Sequence, residues 1–421
     1  MTIALTNATL IDGRGGEPLR GATLLIEGRK ILEARPSLEL GPDVGQLDLG
    51  GKIVMPGLFD CHTHFGAWFQ WLISSQKKSF MYLASQTVRS LADTLHAGCT
   101  TARDMGGLEA GFRDAVADGL IEGPRLQTAL VIIQATNGLT DHLADFATAI
   151  TPQGLHLDPP GIPSPWCDGP DACRAKVREV LRYGADVIKI ANDSIYERNR
   201  RRDRSLFTLA ELEALVDEAH RAGVMIGSHA YWPEPVQMAV KAGVDSIEEG
   251  GHLDEASVEA MAKAGTWYTP CRTNPHWWFE RAASEEERAM AQADDDASRR
   301  SLVLAREAGV RIALATDAPF FPNAAAIELG YMVEAGFSPM DAIVCGTSAA
   351  AEFLRMDRLV GSLVPGKEAD LLVVDGDPLA DITVLQDSAN LSLVMKAGQP
   401  VSGALAAQLP APPPVPWPWF D

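Results

Sequence analysis

The chain has 421 residues, 46% apolar and 22% charged, the proportions of a globular protein with room for one large core and a smaller domain. Its 36 Lys and Arg against 56 Asp and Glu give a formal net charge of −20, which argues against nucleic acid or an anionic membrane as partner. No stretch approaches the ~20 continuous apolar residues of a membrane span. Met1-Thr2-Ile3-Ala4-Leu5 places no basic segment ahead of an apolar core, so no secretory leader is expected and the cytoplasm is the expected compartment.

Residues 1–55 read as short strands punctuated by turns, with β-rich runs at 4–13 and 22–28 that each end in Gly. The stretch 360–408 has the same character, in 361–376 and 393–398. Two such ends around a different middle predict that the termini meet in one small β-sandwich domain.

The middle, 56–359, alternates short apolar runs with helical patterns. Strand candidates end near Thr63, at Asp104, in Asp186-Val187-Ile188-Lys189-Ile190, and at His229, Glu249, Thr269 and Asp317. The helices between them close on Ala-Gly, as in Arg221-Ala222-Gly223, Lys241-Ala242-Gly243 and Glu307-Ala308-Gly309. About eight such βα units over roughly 300 residues predict a (β/α)8 TIM-like barrel. An open doubly wound sheet is the competing architecture, and no Gly-rich phosphate loop follows the first strand to support it. The tail, 409–421, reads as extended polyproline carrying Trp417, Trp419 and Phe420, a segment suited to docking on its own barrel or on a neighbouring subunit.

Asp60-Cys61-His62-Thr63-His64 follows the apolar run Ile53-Val54-Met55-Pro56-Gly57-Leu58-Phe59. Side chains alternate along a strand, so a His-x-His pair at its end sends both imidazoles to one side, where they can meet on a metal. Lys189, His229, Glu249 and Asp317 lie in or at the end of later strand candidates, the end of a parallel barrel that carries chemistry.

With these residues the chain resembles the amidohydrolase superfamily, in particular its prolidase-like and ochratoxin-hydrolase-like enzymes with two metals. The resemblance rests on Val54-Met55-Pro56-Gly57-Leu58-Phe59-Asp60-Cys61-His62-Thr63-His64, on Ala97-Gly98-Cys99-Thr100-Thr101-Ala102-Arg103-Asp104-Met105-Gly106-Gly107, on Thr316-Asp317-Ala318 and on the closing run 361–374. It implies that His62, His64 and Asp317 hold one divalent cation, that Lys189 bridges two as a CO2-derived carbamate, and that His229 holds the second. Zn is expected, with Mn or Co as alternatives. A carbamate turns a cation that is costly to bury into a bidentate anion. Two cations activate a shared water and polarise a carbonyl, while Asp317 takes the water's proton and passes it to the leaving amine.

The sixth strand departs from the family pattern. It reads Ser246-Ile247-Glu248-Glu249-Gly250-Gly251-His252, with Glu249 where relatives carry a His. Glu249 can itself ligate, His252 can reach in over the two glycines, or one cation suffices; Glu249 is the expected ligand. A carboxylate in place of a neutral imidazole adds one negative charge, so an alkaline-shifted activity optimum is expected.

A second departure is 135–142, where Leu139 stands in the place of a family His and His142 lies three residues on; Asn137 and His142 are candidate substrate contacts. Tyr231 reads equally as an oxyanion donor and as packing, and Trp232 beside it is a further substrate contact. Trp68, Trp71, Trp267, Trp277, Trp278 and Phe279 suggest an apolar or aromatic pocket, and the basic run 198–204 a solvated face with one Arg that can meet a substrate carboxylate. His96 and His220 read as helix-end residues and His156 as exposed. Cys167 and Cys173 lie close enough to pair, but thiols are expected in a reducing compartment.

The expected activity is metal-dependent hydrolysis of an amide in a small substrate with an apolar or aromatic part: a dipeptide, an N-acyl amino acid or an aryl amide. Carbamate, urea or lactone hydrolysis on the same site is the alternative, as is a catalytically inactive metal-binding relative. A homo-oligomer is expected.

Overall fold

The computed structural model describes residues 2–66, 79–136, 138–139, 161–193, 203–318 and 322–410. Trp68, Trp71, Asn137, His142, His156, Arg198, Arg200, Arg201, Arg202 and the tail from Ala411 lie outside the described residues, as does the side chain of Trp278.

The chain opens with β1 (Thr2–Leu10), β2 (Leu19–Glu27), β3 (Lys30–Pro36), β4 (Gly45–Asp48) and β5 (Ile53–Pro56). The middle holds β6 (Leu58–Thr63), β7 (Cys99–Asp104), β8 (Arg125–Thr128), β9 (Ile132–Gln134), β10 (Val187–Ala191), β11 (Met225–Ala230), β12 (Ser246–Glu249) and β13 (Trp267–Thr269). The chain ends with β14 (Leu371–Val374), β15 (Leu391–Lys396) and β16 (Gln399–Ser402).

The two ends do meet. Strands β16-β15-β14-β5-β1-β2-β3 form one mixed sheet, with β4 alongside β1. Its seam is β5, parallel to β1 through Thr9↔Ile53 and antiparallel to β14 through Leu372↔Met55. Leu5, Leu24, Ile26, Val54, Leu371 and Leu393 bury one shared apolar face. The pairing differs from the expected sandwich in that β5 joins what would be two layers into a single continuous ladder.

The middle strands are parallel and, apart from one face of β8, buried almost throughout, in a three-stranded sheet β6-β7-β8 and a five-stranded sheet β13-β12-β11-β10-β9. Helices alternate with them. The helix Leu209–Arg221 shows why: Thr208 and Glu211 form a capping box, and Leu212, Leu215, Val216 and Ala219 bury one stripe. It stops at Ala222, and Gly223 takes the left-handed conformation (φ 77°) before β11.

The expected last strand does not form as a regular ladder. Residues 312–318 carry isolated bridges only, Tyr268↔Ile312 and Thr63↔Ala318. Their backbone still bonds on both sides: Ala313 N–H donates to Tyr268 O (3.0 Å), Cys61 N–H to Leu314 O (3.0 Å) and Asp317 N–H to His62 O (2.8 Å). On the other flank Leu130, at φ 64°, breaks β8 from β9, and Asp186 N–H donates to Thr128 O (2.9 Å). Among the described residues no helix is long and apolar enough to cross a membrane.

Candidate metal centre

His62, in β6, and His64, one residue beyond its end, converge as the period of a strand requires. Both are buried, and their Nε2 atoms lie 3.3 Å apart. His64 Nδ1–H donates to the Gly106 carbonyl (2.7 Å), which fixes its tautomer and turns Nε2 inward. His62 Nδ1–H faces Glu248 Oε2 at 3.0 Å and does the same for the other ring.

Glu248 is the orienting group, and sequence reasoning missed it. It is fully buried on β12 and accepts from Arg103 Nη2 (2.8 and 3.0 Å), Ser246 Oγ (2.5 Å) and Thr269 Oγ1 (2.7 Å). Arg103, on β7, is also fully buried, and its Nε–H donates to Cys61 O (2.6 Å). Burial opposes ionisation of Glu248, but Arg103 and His62 outweigh it and hold the carboxyl well below its usual range. An arginine in a strand candidate of small uncharged residues, Cys99-Thr100-Thr101-Ala102, was the available signal, because such a charge, once buried, needs a buried anion.

Lys189, on β10, is 1% exposed. Its Nζ lies 3.3 Å from His62 Nε2 and 3.2 Å from Glu249 Oε1. His229, at the end of β11, has Nδ1 3.0 Å from Glu249 Oε2 and Nε2 3.2 Å from Asp193 Oδ1. Burial disfavours its charged form, yet Glu249 and Asp193 push the imidazole up to about 10. Glu249 is in turn held far below its usual range against burial, by His229 and Lys189. Asp193, a second residue the sequence did not flag, also accepts from the backbone N–H of Tyr231 (2.7 Å) and Trp232 (3.1 Å).

Asp317 closes the group. Its Oδ1 lies 3.1 Å from His64 Nε2 and 3.6 Å from His62 Nε2. Asp317 (φ 50°) and Glu249 (φ 67°) are both non-glycine residues in left-handed backbone, the local strain that functional positions carry. In the metal-free chain burial lowers the His62 pKa, helped by Lys189. His64 is raised, because Asp317 outweighs burial.

His252 is not brought to this group. Its Nε2 lies 3.1 Å from Asp294 Oδ1, and its ring stacks on Trp232 with centroids 4.0 Å apart at 8°. Tyr231 lies over Gly251 and has its ring 5.5 Å from that of His229. Burial pushes the Tyr231 phenol well above its usual range, so it stays a donor. Trp267, expected among the pocket aromatics, starts β13 at the opposite end and packs on Phe353 (5.1 Å) under Arg311 (3.9 Å). His220 and His96 pair with Asp245 (3.0 Å) and Glu122 (3.2 Å) at helix ends. All six cysteines are free thiols, Cys167 and Cys173 with sulfurs 3.4 Å apart.

The donor set fits a cation. With both Nδ1–H groups donated elsewhere, two imidazole lone pairs and a carboxylate oxygen point at one another. That arrangement attracts positive charge. Ligand atoms of His62, His64 and Asp317 lie within 4.8 Å of one another. Beside them Glu249 Oε2, facing His229 Nδ1, and Asp193 Oδ1, facing Nε2 of the same ring, are buried and lack a well-formed hydrogen bond.

Comparison with known proteins identifies the family. Residues 53–401 match the amidohydrolase family. Ochratoxinase of Aspergillus niger is 30% identical over 419 residues, which cover 95% of this chain and 87% of that protein. A solved Xaa-Pro dipeptidase with methionine in its active site superposes with a TM-score of 0.85 at 30% identity, over 95% of this chain and 99% of the other. Molinate hydrolase superposes with a TM-score of 0.78 at 25% identity, over 98% and 97%. These likenesses make the alternating strands and helices a TIM-barrel-like fold with an additional domain. The match spans every strand that supplies a residue to the convergent group, and the chain belongs to the amidohydrolase family, hydrolases that act on carbon–nitrogen bonds.

Proposed function

We propose that the chain hydrolyses an amide in a small substrate with an apolar or aromatic part, using two divalent cations held by His62, His64, Lys189, His229, Glu249 and Asp317. The observation that carries this reading is the convergence of His62 Nε2, His64 Nε2 and Asp317 Oδ1 on one point. Zinc suits the nitrogen and carboxylate donors, as do Mn and Co. Such cations, when bound, polarise the scissile carbonyl and activate the attacking water.

Each side chain then has a task. Lys189 stands between His62 and Glu249 at 3.3 and 3.2 Å, and as a carbamate it would supply an anionic oxygen donor to the cations. Asp317 accepts the water's proton and returns it to the amine, a poor leaving group as an anion. The Tyr231 hydroxyl donates to the oxyanion as it develops. The stacked pair Trp232 and His252 offers a flat wall for an aromatic substituent. A dipeptide, an N-acyl amino acid or an aryl amide meets these requirements, and the likeness to a Xaa-Pro dipeptidase and to an ochratoxinase supports that range. On this reading 312–318 takes the eighth strand position and closes a (β/α)8 barrel over residues 56–359, with 1–55 and 360–408 as the accessory part.

The test is turnover of dipeptides, N-acyl amino acids and aryl amides by wild type and Asp317→Asn, with elemental analysis of both. Two metal equivalents per wild-type chain and a loss of roughly 10²–10⁴-fold in the variant are expected. Stoichiometric metal with no turnover of any amide would overturn this reading in favour of a carbamate, urea or lactone hydrolase or an inactive relative.

A further inference from the structure

Asp317 uses its two oxygens differently. Oδ1 faces the two imidazoles, at 3.1 Å from His64 and 3.6 Å from His62. Oδ2 is turned the other way and accepts from Asn274 Nδ2 at 2.6 Å. The same amide nitrogen donates to the main-chain oxygen of Asp317 at 3.1 Å. One side chain thus grips both the carboxylate and the backbone of a residue held at φ 50°, a conformation that a non-glycine residue keeps only when its surroundings enforce it.

Asn274 is itself built on a firm support. It is the second residue of the helix Thr273–Arg281. The start of that helix is held from outside by Glu328, a fully buried carboxylate that accepts from Arg272 N–H (3.0 Å), Thr273 N–H (2.8 Å) and Thr273 Oγ1 (2.6 Å). The Arg272 guanidinium bonds Asp295 Oδ1 and Tyr331 O, both at 3.0 Å. The helix cannot slide without breaking these bonds, so the amide arrives at Asp317 already placed.

We propose that Asn274 is a positioning residue for Asp317: by fixing Oδ2 it keeps Oδ1 aimed at the point where His62 and His64 converge. The inference rests on the reading of Asp317 as a ligand. Neither the sequence motifs nor the family likeness assigns Asn274 a role. The donor chemistry matters here, not the bulk. An apolar residue of similar size leaves the Asp317 carboxylate free to rotate.

The experiment is titration of the metal-free chain with Co2+ alone, followed by its visible absorption bands, which report ligand geometry. Asn274→Leu, Asn274→Ala and Asn274→Ser are compared with wild type and with Asp317→Ala, and thermal unfolding of each metal-free protein checks the fold. Asn274→Leu and Asn274→Ala are expected to unfold near the wild-type midpoint, bind Co2+ ten-fold or more weakly at one site and shift its bands. Asn274→Ser, which keeps a donor, recovers part of the loss. Wild-type affinity and bands in the folded Leu or Ala variant overturn the proposal. If Asp317→Ala is also unchanged, the reading of Asp317 as a ligand fails; if Asp317→Ala alone is weakened, only the role of Asn274 fails.

Discussion

Glu248 and Glu249 hold opposite ends of one imidazole: Glu248 Oε2 lies 3.0 Å from His62 Nδ1, and Glu249 Oε1 lies 3.5 Å from His62 Nε2. Neighbours in a strand point to opposite faces. Both reach the same ring because Glu249 leaves β12 through a left-handed turn (φ 67°), followed by Gly250 at φ 50°. The first carboxylate orients the ring and the second faces its inward nitrogen.

Glu248→Gln keeps the shape and removes the charge. It leaves Arg103 buried beside a neutral partner, a loss of about 3–5 kcal/mol by analogy with other broken buried pairs. It also weakens the bond that aims His62, so metal affinity is expected to fall about 10–100-fold. Urea unfolding reads the first effect and competition with a chromophoric chelator the second. Wild-type values in both would deny Glu248 any orienting role.

Glu249 makes a separate prediction. Elemental analysis of Glu249→Ala is expected to show one metal equivalent where wild type shows two. Glu249→His should restore the second and, with one negative charge fewer at the site, move the activity profile to lower pH by roughly one unit. An unchanged or more alkaline profile would mean that Glu249 does not face the activated water.

The parts of the site that could be read from sequence are those set by local geometry. His62 and His64 follow from strand alternation, and Lys189, His229 and Asp317 from their places at or near the ends of apolar runs. Arg103 and Glu248 form a pair across 145 residues, and Asn274 meets Asp317 across 43; no local pattern encodes such contacts. His252 looked able to reach inward over two glycines, but the Tyr231 ring occupies the space over Gly251 and Asp294 draws His252 the other way. The β-rich ends were legible from their turns. Their union as one ladder was not, because it depends on β5 pairing with β1 on one side and β14 on the other.

Asp60 gives the fold a pH dependence. It is 3% exposed on β6 and accepts from Thr316 N–H (3.2 Å) and Oγ1 (2.7 Å), tying the strand to the 312–318 segment. Burial pushes its carboxyl up to about 7, against the opposing bond from Thr316, from an ordinary value of 3.8. Between those values the folded chain keeps a proton that the unfolded chain has lost. Stability from this group is therefore complete below the lower value and declines as pH rises through the upper one, by at most about 4 kcal/mol. The difference in urea midpoint between wild type and Asp60→Asn, both metal-free, should grow in favour of the variant from pH 4 to pH 8. Parallel curves would place the Asp60 titration elsewhere.

Gly66 separates damage to the site from damage to the fold. A Cβ there would lie 1.7 Å from the backbone C and O of Gly107 and 2.4 Å from Leu108 N. Neither is a flexible side chain, so the chain after β6 must move away from 106–108. That segment includes Gly106, whose carbonyl fixes His64 at 2.7 Å. Gly66→Ala is expected to cost about 1–3 kcal/mol by overpacking and to lose metal as His64 swings out of line. Gly223→Ala is the control: nothing lies within 4 Å of its Cβ, but φ is 77°, so it should cost about 1 kcal/mol through backbone strain and keep its full metal content. Equal metal loss in both variants would show that stability alone governs metal binding, and would remove the special link between Gly66 and His64.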